Sequence, residues 1–126
     1  MPDPSYAFTT VLAGALADAG VRHACITPGS RSTPIVLPLA DHPAITDWPH
    51  HDERASAFFA LGIGKATGVP AVVVTTSGTA AAHLHAAALE ARAGRVPLIL
   101  ITADRPAELR DVGAPQAVDQ AKNQDD

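Results

Sequence analysis

The sequence predicts an α/β domain with a parallel sheet that is covered by helices on both faces. Three short segments are rich in apolar residues and have glycine or proline at or beside one or both ends: residues 21–27, 71–75 and 97–102. The segments between them carry apolar residues at helical spacing. Strands that are apolar throughout and alternate with helices are typical of parallel sheets buried on both faces.

The first helix is predicted from Asp3-Pro4, an N-cap residue followed by proline at the first helical position, to a stop at Gly20. Its apolar residues recur every three or four positions and comprise Phe8, Val11, Leu12, Ala15, Leu16 and Ala19. The apolar strand 21–27 follows and contains Cys25, the only cysteine of the chain. We therefore expect a buried, inert thiol and no internal disulfide.

A short second helix is predicted to begin at Ser32-Thr33-Pro34, and Pro38 is expected to limit or kink it. A weaker strand over residues 44–49 precedes a long Ala-rich helix from Glu53 to about Thr67. Asp52 is a suitable N-cap for that helix.

The remaining elements follow the same alternation. Strand 71–75 precedes a turn and a single predicted helix from Ala80 to about Arg92. Strand 97–102 precedes a short helical turn from Glu108 to Arg110.

Composition bounds the class of protein. The chain has 126 residues, enough for one domain, with 9 basic and 13 acidic residues and no basic run, which argues against nucleic acid as a partner. No secretory signal and no apolar run of membrane length occurs. We therefore expect a cytoplasmic protein without a membrane span.

Polar turns follow four of the predicted strands. Ligands of parallel α/β sheets bind beyond the carboxyl ends of the strands. The turns there are Thr27-Pro28-Gly29-Ser30-Arg31-Ser32, His51-Asp52-Glu53, Thr76-Ser77-Gly78-Thr79 and Asp104-Arg105. The carboxylate of Glu53, two guanidinium groups and several helix-start amides would suit a small anionic ligand.

Local physics leaves alternatives open for these residues. Glu53 is either a capping acid at the positive end of a helix or a functional carboxylate. Ser77 lacks the Gly-x-Ser-x-Gly pattern of a hydrolase, so helix N-capping is the simpler interpretation. Residues 62–65 resemble the end of a phosphate loop but lie late in a helix, where such a loop cannot be.

The histidines do not predict a metal site. His83 and His85 are two apart on a predicted helix and point to different sides of it. His50 and His51 are adjacent and likewise diverge. We expect no metal ligands in this chain.

Four ordered motifs match a known family: residues 27–34, 51–54, 76–80 and 102–109. In order and spacing they closely resemble the N-terminal pyrimidine-binding domain of the 2-succinyl-5-enolpyruvyl-6-hydroxy-3-cyclohexene-1-carboxylate synthases, which are thiamine diphosphate enzymes of menaquinone biosynthesis. The resemblance runs from about Tyr6 to Gln120. Acetolactate synthase and related enzymes share some of these features, but they typically have proline where this chain has Thr79 and lack the Ser30-Arg31 pair.

The resemblance implies a role for each motif. Glu53 matches the acid that hydrogen-bonds N1′ of the cofactor's aminopyrimidine and favours its imino tautomer, while Ser77, Gly78 and Thr79 match cofactor-binding positions. A carboxyl group is needed because only an acid can share its proton with that weakly basic ring nitrogen.

Further matched positions are implied to bind the acidic substrates, isochorismate and 2-oxoglutarate: Ser30, Arg31, Arg105 and Gln116. Planar guanidinium groups suit these carboxylates. The simpler interpretations are a solvated turn residue for Arg31 and an ion pair with Asp104 or Glu108 for Arg105.

The resemblance also sets expectations about organisation. Residues 1–120 correspond to the pyrimidine-binding domain, and residues 121–126 form a polar tail where the family continues into its central domain. Members are several times longer, and their C-terminal domain binds the diphosphate through Mg²⁺. We therefore expect a transferase domain that is inactive alone, completes its site with the diphosphate-binding domain of another subunit, and forms a homo-oligomer.

One alternative of another class stands beside this expectation. The chain could be a stand-alone binding or regulatory module of the same fold that binds a small dicarboxylate. The presence of Glu53 favours the enzyme, since a module that only binds has no need of that acid.

Overall fold

A computed structural model describes residues 4–29 and 32–103 of the chain. The elements in chain order are α1 (Pro4–Asp18), β1 (His23–Ile26), α2 (Thr33–Asp41), β2 (Thr46–Pro49), α3 (Glu53–Thr67), β3 (Val72–Thr75), α4 (Thr79–Ala82), α5 (His85–Gly94) and β4 (Ile99–Thr102).

The four strands form one parallel sheet in the order β2-β1-β3-β4. The register pairs Cys25 of β1 with Trp48 of β2 and with Val73 of β3, and Thr75 of β3 pairs with Thr102 of β4. Helices connect all successive strands. The predicted α/β fold with a parallel sheet is therefore confirmed.

Two apolar cores lie on the two faces of the sheet. Alternate residues of β3 enter different cores: Val72 and Val74 join the cluster beneath α1 and α2, whereas Val73 joins the cluster beneath α3 and α5. All four β3 side chains are buried, because the strand has helices on both faces and a strand on each side. This explains why β3 is apolar without alternation.

Several strand boundaries differ from the prediction. The strands are four residues each, shorter than the apolar segments, which continue into the connecting turns. α3 spans the predicted residues, and α1 ends two residues before the predicted stop at Gly20.

Of the two effects expected of Pro38, ending the second helix is wrong, and a kink stays a prediction. α2 continues through Pro38 to Asp41, and Pro38 is itself buried. Proline removes one backbone hydrogen bond from a helix, and the burial of its apolar ring offsets part of that loss.

The single helix predicted from Ala80 to Arg92 is two helices in the structure. A turn at His83 and Leu84 separates α4 from α5, with His83 N donating to Ala80 O (3.3 Å) and Leu84 N donating to Ala81 O (3.2 Å). These i→i−3 bonds tighten the backbone. The turn coincides with the complete burial of Leu84 in the core beneath α3 and α5.

Large apolar side chains on α3 and around the start of α5 differ in their exposure. Phe58, Phe59 and Leu89 are 39%, 40% and 45% exposed, whereas Leu84 is fully buried. Leu84 therefore cannot contribute to an interface.

The helical turn predicted from Glu108 to Arg110 lies outside the described residues. Within residues 4–29 and 32–103, no helix combines the length and the apolar character that crossing a bilayer requires.

Candidate functional site

The turn between β2 and α3 is closed by Asp52. This residue has extended backbone angles (φ −118°, ψ 121°), and its Oδ1 accepts hydrogen bonds from the backbone N–H groups of Arg54 (2.9 Å) and Ala55 (3.4 Å). Asp52 is thus the N-cap that the sequence predicts. Capping by Asp52 satisfies two of the unpaired donors at the start of α3.

Glu53 occupies the first position of α3 and is half-buried. Its carboxylate accepts no hydrogen bond from any described residue, in contrast to the carboxylate of Asp52. Because the neighbouring acid already caps the helix, Glu53 places a charged group at a helix N-terminus that no described residue pairs.

The turn between β1 and α2 is anchored through Gly29. The carbonyl oxygen of Gly29 accepts hydrogen bonds from Ser32 N (3.2 Å), Ser32 Oγ (2.9 Å) and Thr33 Oγ1 (3.3 Å). The start of α2 is therefore tied to the residue that precedes the Ser30-Arg31 pair.

The turn between β3 and α4 differs from the prediction. Gly78, not Ser77, is the N-cap of α4, and it makes no side-chain cap. Gly78 has φ 82° and ψ −134°, angles that only glycine adopts at low cost. The interpretation of Ser77 as a capping hydroxyl is therefore wrong.

Ser77 is almost fully buried, and its Oγ has no hydrogen-bond partner among the described residues. The same holds for Ser56 Oγ in the first turns of α3 and Thr75 Oγ1 at the end of β3. Buried polar atoms are nearly always paired, so three unpaired hydroxyls near one sheet edge distinguish this part of the molecule. Neither Ser56 nor Thr75 was identified from sequence, because an isolated hydroxyl carries no pattern.

An open cleft of about 620 Å³ lies beyond the ends of β1 and β2. Its lining is mainly apolar and comprises Ile26, Thr27, Pro28, Gly29, Ser32, Thr33, Val36, Leu37, Pro49, His50 and His51. The cleft therefore lies between the turn that carries Gly29 and the turn that leads into Glu53.

His50 adds a polar atom to this lining. Its Nδ1 is buried without a partner among the described residues, and its ring lies 5.0 Å from that of Phe59. From the sequence, His50 is a candidate only for a metal site, which is not predicted there. Its position in the cleft follows from the sheet register and could not be found from the chain alone.

The predicted site residues divide into two groups. Glu53, Ser77, Gly78 and Thr79 all lie at the carboxyl edge of the sheet, the first in α3 and the others at the start of α4. The predicted substrate-binding residues lie outside the described residues: Ser30, Arg31, Arg105 and Gln116. Within the described part of the chain, no three histidine, cysteine, aspartate or glutamate side chains cluster as metal ligands.

Cys25 lies in the interior strand β1 and is fully buried. Desolvation by burial raises the pKa of its thiol from 9.0 to about 12. Its predicted burial is confirmed, and a thiol that stays protonated at neutral pH is a poor nucleophile.

The chain is similar to known proteins along almost its whole length. Residues 7–123 match the family described as thiamine pyrophosphate enzyme, N-terminal TPP binding domain. A relative from Roseiflexus castenholzii is 55% identical over 122 residues, which are 97% of this chain and 21% of the relative. That relative is named 2-succinyl-5-enolpyruvyl-6-hydroxy-3-cyclohexene-1-carboxylate synthase.

Two other relatives carry the same name. The Geobacillus kaustophilus protein is 53% identical over 120 residues, covering 95% of this chain and 21% of the relative. The Halobacterium salinarum protein is 52% identical over 119 residues, covering 94% of this chain and 20% of the relative. The chain thus spans about a fifth of the length of these relatives. With its parallel α/β sheet and its family match over residues 7–123, the chain belongs to the family of N-terminal TPP binding domains of thiamine pyrophosphate enzymes.

Proposed function

We propose that this chain is the pyrimidine-binding part of a transferase that decarboxylates 2-oxoglutarate and adds the resulting succinyl unit to isochorismate, as in menaquinone biosynthesis. The relatives bear the name of that synthase and cover the chain at 52–55% identity. The proposal further assigns thiamine diphosphate as the cofactor, in keeping with the family match.

The observation that carries the proposal is the carboxylate of Glu53, which has no partner within residues 4–29 and 32–103. Asp52 caps α3, so Glu53 is held in place by the first turn of the helix without serving as its cap. A mainly apolar cleft adjoins the turn that leads to it. An acid in this position can share a proton with a weakly basic ring nitrogen, which is what the aminopyrimidine of thiamine diphosphate presents.

The residues present fit the pyrimidine end of the cofactor. When bound, thiamine diphosphate supplies a nucleophilic carbon that allows a 2-oxo acid to lose carbon dioxide. Glu53 would hold a proton between its carboxyl oxygen and the ring nitrogen N1′. Ser77, Gly78 and Thr79 would orient the ring, and the unpaired Ser77 hydroxyl is a polar group that could contact it.

The acidic substrates would be bound by residues known here only from sequence. Ser30, Arg31, Arg105 and Gln116 match the family's substrate positions. Isochorismate and 2-oxoglutarate each carry two carboxylates, and a hydrogen bond to a charged group contributes roughly 1.5–3 kcal/mol. Arginine provides the planar pair of donors that a carboxylate accepts.

The diphosphate end requires groups from elsewhere. We propose that Mg²⁺ and the diphosphate are bound by the diphosphate-binding domain of another subunit, since no metal-ligand cluster occurs within residues 4–29 and 32–103. The matching homo-oligomer would use exposed apolar residues such as Phe58, Phe59 and Leu89. Light scattering across a concentration range tests this association, and a mass of one chain throughout would contradict it. A cytoplasmic location remains a prediction.

The test uses a chimera, called the joined protein below, in which this chain replaces the matching segment of the Roseiflexus castenholzii synthase. We expect the joined protein to consume isochorismate and 2-oxoglutarate, and Glu53→Gln to lower kcat by at least about 100-fold, in line with the loss of a general acid–base group. Glutamine keeps the shape of the side chain but cannot transfer a proton.

Glu90→Gln is the matched control, because Glu90 is an exposed carboxylate on α5 and has no assigned role. Its activity should equal that of the unsubstituted joined protein. Near-normal turnover by Glu53→Gln would reject the assignment of Glu53. Tight binding of a small dicarboxylate by the 126-residue chain alone would instead support the binding-module alternative.

A further inference from the structure

We propose that Gly29 is a positioning residue of this site. Its missing side chain lets the β1–α2 turn lie directly against Thr76 in the β3–α4 turn. This contact would set the position of Gly29 and of the start of α2, which line the cleft, relative to residues 77–79. The inference rests on the function proposed above, because it concerns the same sheet edge.

The two turns approach too closely for any side chain at position 29. A Cβ built on Gly29 would overlap with Cβ and Oγ1 of Thr76 and would lie 2.7 Å from its Cγ2. Carbon atoms that are not bonded normally stay about 3.5–4.0 Å apart. Even alanine at position 29 would therefore force one of the turns to move.

Thr76 is the less movable of the two partners. It is 6% exposed and follows β3, an interior strand of the sheet. The strand ends are tied together by two hydrogen bonds from Thr27, whose N and Oγ1 lie 3.2 Å and 3.3 Å from Val74 O. Overlap with the Thr76 Cβ cannot be relieved by rotation of its side chain.

Gly29 is the partner that would yield, since it is only half-buried. Its carbonyl oxygen accepts three hydrogen bonds from Ser32 and Thr33, so a displaced Gly29 would strain the start of α2. Ser30 and Arg31 directly follow Gly29 in the chain. The movement would therefore change the cleft lining at Gly29, Ser32 and Thr33, on either side of the sequence pair proposed to bind isochorismate.

Gly62 provides a matched control. A Cβ built on Gly62 has no heavy atom within 4 Å, and the residue is exposed on α3. The same chemical change, glycine to alanine, is therefore free of overlap at position 62 and blocked at position 29.

The experiment measures steady-state kinetics in the joined protein and melting temperatures in the 126-residue chain. Gly29→Ala should raise the KM for isochorismate at least about tenfold, because displacements of about 1 Å at a binding site commonly cost that much or more. The thiamine diphosphate concentration for half-maximal activity should change less, since Thr76 stays in place. Gly62→Ala should leave both quantities within about twofold of the unsubstituted protein.

Second-site variants identify the contact itself. Thr76→Gly removes the three atoms that lie nearest to the new Cβ, whereas Thr76→Ser removes only Cγ2 and leaves the overlapping Cβ and Oγ1. In the double variant Gly29→Ala/Thr76→Gly, the isochorismate KM and the melting temperature should return most of the way to the values of Thr76→Gly alone. The combination with Thr76→Ser should recover neither.

The experiment distinguishes a failure of the Gly29–Thr76 contact from a failure of the proposed function. An unchanged isochorismate KM in Gly29→Ala, or equal recovery with serine and glycine at position 76, would overturn the inference. If Gly29→Ala fails to fold, recovery of folding and KM by Thr76→Gly supports the contact, and continued failure overturns it. If the unsubstituted joined protein makes no product, the proposed function fails and the positioning role with it, while the melting temperatures still decide whether the contact exists.

Discussion

The β2–α3 turn and the β3–α4 turn lie at the same edge of the sheet, but their helix starts are stabilised in different ways. In the first, Asp52 caps the helix with two hydrogen bonds, and the Glu53 carboxylate has no partner among the described residues. In the second, Gly78 takes the cap position without a side-chain cap, and the buried Ser77 hydroxyl likewise has no partner in the described part of the chain. One turn is stabilised by a side chain and the other by a backbone conformation.

The comparison shows two ways in which a helix start can be stabilised while the polar side chain next to the cap residue stays without a partner among the described residues. A residue that satisfies the local backbone frees its neighbour, as Asp52 does for Glu53. A residue that needs no side chain at all does the same, as Gly78 does for Ser77. In both turns the stabilising residue and the available residue are adjacent in the chain, so their contributions can be separated by mutation.

The largest effect is expected at Gly78. A residue with a Cβ adopts a φ of 82° and a ψ of −134° only at an energetic cost. Gly78→Ala should therefore destabilise the chain by about 1–3 kcal/mol. Thermal unfolding followed by circular dichroism measures this as a fall of several degrees in melting temperature. Gly62→Ala, on an exposed helical position, is the control and should be neutral or stabilising. An equal melting temperature for the two variants would show that the β3–α4 turn does not depend on this conformation.

A smaller effect is expected at Asp52. Asp52→Ala removes both cap hydrogen bonds of α3 and should cost about 0.5–2 kcal/mol in the free energy of unfolding, measured by urea titration. Asp52→Asn keeps an oxygen acceptor at the same position and should retain most of that stability. If alanine and asparagine were equally tolerated, the side-chain cap would contribute nothing, and the contrast between the two turns would disappear.

The smallest effect on stability is expected at Ser77. Its hydroxyl has no partner among the described residues, so Ser77→Ala should change the free energy of unfolding by less than about 0.5 kcal/mol or increase it. In the joined protein it should nevertheless raise the thiamine diphosphate concentration required for half-maximal activity. Ser56→Ala is the matched control, since Ser56 also has a buried, unpaired hydroxyl but lies outside the predicted cofactor motif. A loss of stability in Ser77→Ala without a change in cofactor requirement would assign Ser77 a structural role.

The sequence by itself determined the features that depend on neighbouring residues. The alternation of apolar strands with helices predicted the parallel sheet, because burial on both faces leaves no polar side of a strand. The bounds of α3 and the cap at Asp52 were predicted because a helix start is set by hydrogen bonds within one turn. The four motifs predicted the family, and the match over residues 7–123 confirms it.

Only the tertiary structure decided the features that join distant parts of the chain. The helix predicted from Ala80 to Arg92 divides where Leu84 is fully buried in the core, and helical periodicity does not contain that requirement. Ser77 was interpreted as a cap because its residue type favours one, whereas the backbone conformation of Gly78 gave the cap position to glycine. Gly29 and Thr76 are 47 positions apart in the sequence (76 minus 29). Their contact therefore exists only once β1 and β3 have paired. Such contacts depend on strand register and packing, which arise from the whole chain rather than from any local pattern.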